Sequence, residues 1–385
     1  MKTRCQRETP ASWLENVGVS YYQHLARKAG LNDKPALNID DLPDDSVLCA
    51  IAEHLTHFAA IIAFGVGALT TVVSVWFEWM YRGEMDTVIY YTAYTLIVLV
   101  MFAIEMLVLF WLGLRTVHGF ACLTGQYHQE DDLLPESDSV PNMLARAALE
   151  VPDPVIHYMG IDPTKHIPKT QMLIVGLLYK AKVLLTSLII KLVLIRLFGK
   201  GGSRLGFAWV AIPVTGIWDA ITMYKVAKEA KLRLFGYSLA RYIANDIIKP
   251  DIMERLSDKA KEGAIRAVAT TSVLTQNYHP NMMVLLLKLS QTFDIKEQAD
   301  YDNWQDFLKI LNEVEQHERY FLLDLLCVSA AFDGHLSNME REHLPDAFAE
   351  HTDVYMERLK DLIEALLNGE LHKAKTLCKL DFEAG

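Results

Sequence analysis

Glu105 is the residue best placed to do chemistry in this chain, because it is the single charge in the run Val88 to Leu114. A carboxylate at that depth in hydrocarbon costs about 3 kcal/mol unless it is paired, protonated or turned toward water. Asp219 interrupts a later apolar stretch, Leu205 to Tyr224, in the same way. Lys180, Ser187 and Lys191 lie seven and eleven residues apart, spacings that return a helix close to the same angle. Such a set supports two kinds of chemistry. The charges line an ion or proton path, or they form intramembrane ion pairs and snorkelling lysines that hold helices in register.

Other candidate groups carry less. His118, Cys122 and His128 match no standard metal-ligand spacing. Gly199-Lys-Gly-Gly-Ser203 lacks the order of a phosphate loop and reads as a turn. His54 and His57 share a face just before the first apolar run. The chain shows no nucleophile elbow, no HExxH and no nucleotide-binding fingerprint, so no enzymatic activity is expected. Its five cysteines are scattered without paired spacing, which suits a reducing compartment.

The elements that must position these residues are membrane helices. Phe58 to Phe77 is a run of twenty residues without a charge, enough to cross about 30 Å of hydrocarbon as a helix. Trp76, Trp79 and Tyr81 close it, and Tyr90, Tyr91 and Tyr94 open the next run, as interface aromatics do. The loop between the two runs holds one basic residue, Arg82, whereas six precede the first run. That asymmetry places the N-terminus in the cytoplasm. No cleavable signal peptide is expected, so insertion relies on the first span. Before it, Ser12 to Ala29 reads as an amphipathic helix with Trp13, Val17, Tyr21 and Leu25 on its apolar stripe. Two readings stay open for residues 171 to 224. They cross the bilayer twice, or they re-enter one leaflet and keep the basic turn near Lys200 inside.

Mean hydropathy of +0.14 is high for a soluble protein and low for one made only of spans. The formal net charge of −11 resides in the last third, where Asp251 to Gly385 holds 14 Lys and Arg against 25 Asp and Glu. An acidic tail repels nucleic acid and anionic headgroups, which excludes both as its partners. Upstream of it, Lys228, Lys231 and Arg233 are expected just inside the membrane face, where anionic lipids attract them. About seven helices and no strands are expected after Pro250.

The sharpest local pattern is Ala330-Ala-Phe-Asp-Gly-His-Leu-Ser-Asn-Met-Glu340. It predicts a helix end, a tight turn at Gly334, and a capping box between Ser337 and Glu340. The segment also resembles the AxADGxxSxxE hairpin of the TerB-like family, matching at Asp333, Gly334, Ser337 and Glu340 and departing at Phe332. The resemblance covers Asn281 to Leu380 and implies a small all-helical domain of the kind linked to tellurite resistance and membrane stress responses. It further implies a divalent cation as cofactor, with Asp333 and Glu340 as its ligands. Residues 211 to 220 and 228 to 236 are similar to bacterial membrane proteins that carry such tails.

The resulting expectation is an all-α protein with transmembrane helical hairpins followed by a soluble cytoplasmic helical bundle. It comprises an N-terminal cytoplasmic helix and linker (1–46), a first hairpin (47–115) and a cytoplasmic acidic loop (116–169). A second transmembrane or re-entrant hairpin (170–225), a juxtamembrane region (226–280) and a TerB-like domain (281–385) follow. Expected partners are the bilayer of a bacterial inner membrane, a protein bound by the tail, and further copies of the chain. Both termini face the cytoplasm. The expected function is a non-enzymatic scaffold or sensor, and the competing one is an oligomeric ion or proton conductor using Glu105 with Lys191 or Asp219.

Overall fold

The two longest apolar runs fold into helices longer than the runs themselves. The computed structural model describes residues 13–28, 37–126, 161, 204–276, 279–293, 300–378 and 380, and the elements among them are all helical. Lys180, Ser187, Lys191, His128 and the turn 199–203 lie outside the described residues. Helix α1 is Trp13–Lys28, α2 is Asp45–Tyr81 and α3 is Thr87–Leu123. At 37 residues each, α2 and α3 extend about 55 Å, and both are long and apolar enough to cross a membrane. Asp86 sharpens the reversal between them, its carboxylate accepting from the Val88 amide at 3.3 Å.

The fourth helix, α4 (Arg204–Tyr242), runs antiparallel to α2. Gly216 meets Phe64, Gly67 meets Asp219, and Tyr224 stacks on His57 at 6.5 Å. Close approach is possible because α2 buries a stripe of small residues: Ala52, Thr56, Ala59, Ala63, Gly67 and Thr71. A Cβ on Gly67 would stand 2.2 Å from Asp219 Oδ2. The opposite faces of α2 and α3 remain apolar and uncovered, with Ile61 69% and Leu107 68% exposed.

Past the bundle, α4 becomes the central helix of the tail. It passes through residue 225 without a break, and every position from Lys231 to Ala240 is buried. A π-helical turn, Ile243–Ile247, and a single helical turn, Pro250–Met253, lead out of it. Seven further helices follow: α5 (Asp258–Leu274), α6 (Pro280–Phe293), α7 (Trp304–Glu313), α8 (Gln316–Ala331), α9 (Asn338–Phe348), α10 (Thr352–Asn368) and α11 (Leu371–Cys378). They enclose α4 at short range. Gly236 abuts Asn281 and Phe332, Gly334 abuts Leu232, and Gly369 abuts Phe235. One continuous apolar core joins Tyr22 and Phe120 to Phe235, Leu326 and Leu380.

Two expectations are corrected. Tyr21 of the expected stripe packs against the core, but the most buried side chain of α1 is its neighbour Tyr22, edge-on to His118, and Val17 is exposed. The neighbouring α3, rather than the periodicity of α1, selects that face. The basic cluster on α4 is also not offered whole to lipid. Arg233 is buried and paired with Glu229 at 2.8 Å, because this part of α4 is already inside the tail.

Candidate functional site

The first polar cluster sits at mid-height of the bundle. Thr70 is one helical turn beyond Gly67 and on the same side of α2, facing both α3 and α4. Its hydroxyl donates to Glu105 Oε2 at 2.5 Å, with the Gly67 carbonyl 3.1 Å away. Glu105 is fully buried, and Asp219 is buried against Gly67. The structure thus brings Glu105 and Asp219 to neighbouring turns of one helix. This geometry holds α2 and α3 in register, since a buried carboxylate joined to a neighbouring hydroxyl cannot slide without losing its partner.

The second cluster is the α8–α9 hairpin. Gly334 turns the chain with φ of +73°, a conformation glycine adopts without strain. Ser337 Oγ accepts from the Glu340 amide at 3.0 Å, and Glu340 Oε2 accepts from the Ser337 amide at 2.8 Å. Ser337 Oγ also donates to the Leu274 carbonyl at 2.9 Å, fastening the hairpin to α5. His335 binds Asp333 twice, through its amide at 3.2 Å and its Nδ1 at 3.0 Å.

These groups titrate away from their ordinary values. The hydrogen bond that its imidazole donates to the Asp333 carboxylate raises His335 to about 9. Burial, and then the charge of Asp333, raises Glu340 to about 8. Glu340 Oε1 is buried without a hydrogen-bond partner among the described residues. A divalent cation takes six or more oxygens in the usual case. Asp333 and Glu340 do not supply that set, because three of their four oxygens are already engaged, and no group of three or more His, Cys, Asp or Glu gathers among the described residues. His118 and Cys122 do touch, with Sγ 3.7 Å from Nδ1, as an isolated pair.

The third arrangement could not be read from spacing. Asp45, in the first turn of α2, caps the start of α11 more than 300 residues later. Its two carboxylate oxygens accept from the His372 and Lys373 amides at 2.9 Å each. Lys375 reaches back to Asp40 at 2.6 Å, and Cys49 Sγ donates to the Asn368 carbonyl at 3.2 Å. The foot of the first apolar helix is therefore clamped to the end of the tail. Inside the tail, Arg358 joins Asp324 at 2.5 Å and donates to the Leu377 carbonyl at 2.6 Å, locking α8, α10 and α11 together. An acidic residue in the first turn of a helix carries no signal for a partner so distant. Comparison of the chain with protein-family models, curated proteins and solved structures found no match.

Proposed function

We propose that this chain is a membrane-anchored, non-enzymatic scaffold or sensor of a bacterial envelope or stress response, whose cytoplasmic helical tail binds a protein partner. The observation that carries this reading is α4. One unbroken helix pairs with α2 along the apolar region and then forms the centre of the tail, so the anchor and the tail move as one body. The uncovered apolar faces of α2 and α3 support the bilayer as their solvent, since soluble proteins rarely leave such surfaces open. Whether residues 171 to 203 cross the bilayer or re-enter one leaflet lies outside the described residues. Gln126 sits at the tail end of the bundle, where Arg241 donates to it at 3.1 Å. Arg204 starts α4 about 18 Å before Gly216, toward the Arg82 end.

Chemical cross-linking and affinity capture from native membranes test the proposal. A defined partner recovered by the wild type and by Glu105→Gln, and lost with Asp333→Ala, supports it. Recovery of further copies of this chain alone, unaffected by Asp333→Ala, refutes it. Deleting everything after Ile248 is a poor test, because it uncovers Leu232, Phe235 and Leu239. Calcium or magnesium titration of the wild type and Asp333→Ala tests the cation, which would have to displace the proton of Glu340 or the hold of His335.

A second reading is favoured by the mid-bundle cluster. Glu105, Thr70 and Asp219 together are polar enough to pass a proton or an ion in an oligomer. That reading requires flux into proteoliposomes that disappears with Glu105→Gln.

A further inference from the structure

Where the bundle meets the tail, a cavity of about 420 Å³ opens between α2, α4 and α10 and the start of α9. Four cations line it from three helices: Lys228 and Lys231 of α4, and Arg341 of α9 and Lys360 of α10 more than 100 residues later. Two carboxylates, Glu53 and Glu364, share the lining, leaving a formal excess of two positive charges in a protein of net charge −11. Lys228, Arg341 and Lys360 are exposed, and Lys231 is the buried member of the set. Lys231 is only 8% exposed, and burial lowers its pKa. None of the four cationic side chains makes an ion pair or hydrogen bond with another described residue. Glu53 offsets part of the cost of burying Lys231 beside Lys228, and an entering anion would offset more of it.

The position of the cavity narrows the anion. His57 and Tyr224, stacked on each other, stand at its edge, and Phe58, the next residue, begins the charge-free run. The cavity therefore lies at the depth of lipid headgroups if α2 crosses a bilayer. Its volume falls in the range of small-ligand sites, and clustered Lys and Arg are the usual receptors for phosphate oxygens.

We propose that this cavity binds a phosphate-bearing anion, contributed by the headgroup of an acidic phospholipid or by a soluble phosphate compound. The lipid source rests on the membrane placement proposed above; the phosphate chemistry does not. Because Lys228 and Lys231 belong to α4 while Arg341 and Lys360 belong to α9 and α10, an occupant bridges the central helix to the two helices packed beside it. Arg341 follows Glu340 directly, so occupancy also bears on the α8–α9 hairpin.

Binding to the full-length protein in detergent is measured with dioctanoyl phosphatidic acid, inorganic phosphate and dioctanoyl phosphatidylcholine. Saturable binding of phosphatidic acid alone identifies a lipid headgroup site. Binding of both phosphatidic acid and inorganic phosphate identifies a general phosphate site. In either case Lys228→Gln with Lys360→Gln weakens binding about tenfold or more, the effect of losing charge-assisted contacts. Both residues are exposed, so an unchanged melting temperature without ligand confirms the fold of that variant. Lys231→Arg retains binding and Lys231→Gln loses it. Phosphatidic acid binding no tighter than phosphatidylcholine, with no phosphate binding, overturns the proposal. So does an affinity that survives the double substitution.

Discussion

The two halves of α4 share one backbone and meet opposite surroundings. Before Lys225 the helix turns Trp209, Ile217 and Ile221 outward and packs α2 through Gly216 and Asp219. After Ala230 the same helix buries ten consecutive residues, two of them cationic. In the first half cohesion comes from small residues and a few buried polar contacts, the means a helix pair uses in the bilayer proposed for it. In the second half it comes from apolar burial on every side. A helix is thus no guide to its environment; what its neighbours cover, and what they leave open, is.

Four perturbations break or sharpen this comparison. The largest effect belongs to Phe235→Ala in the tail half. Removing a fully buried ring costs about 3–5 kcal/mol. Denaturant titration should show the tail weakened by that amount while the α2–α3 reversal keeps its protection from hydrogen exchange. Next comes Gly67→Leu in the bundle half. Its side chain has no room against Asp219, and overpacking of this kind costs about 1–3 kcal/mol. Cross-linking between cysteines placed at Phe64 and Gly216 should fall, with the tail's melting little changed.

Asp45→Ala probes the join between the two halves. The cap it supplies to α11 is worth about 1 kcal/mol. Hydrogen exchange should quicken in the first turn of α11 and leave α8 unaffected. The fourth perturbation is pH, which acts on the α8–α9 hairpin. His335 titrates at about 9 rather than 6.5, so its pairing with Asp333 stabilises the fold fully below 6.5 and is lost as pH rises through 9. Glu340 titrates at about 8 rather than 4.5, so its contribution also declines as pH rises, between 4.5 and 8. Melting temperature measured from pH 5 to 10 should therefore fall with rising pH. His335→Gln together with Glu340→Gln should flatten that fall.

How legible these features were depended on the range of the interactions behind them. The capping box at Ser337 and Glu340 joins residues three apart, and its sequence pattern states it outright. The turn at Gly334 is equally local. Tyr22 was harder, because the face a short amphipathic helix buries is settled by α3, and the stripe of Val17 pointed one position away. The Asp45 cap and the cavity of Lys231, Arg341 and Lys360 join residues more than 100 positions apart. Neither leaves any periodic trace.

The sequence by itself determined the all-helical character, the two long apolar helices and the acidic tail. Each is a sum over neighbouring residues: helical spacing, the transfer free energy of an uncharged run, and net charge. Only the tertiary structure decided that α4 belongs to both bundle and tail, that Glu105 meets Thr70, and that four cations converge beside His57. Those outcomes depend on which surfaces fold against each other, and packing joins residues without regard to their distance along the chain.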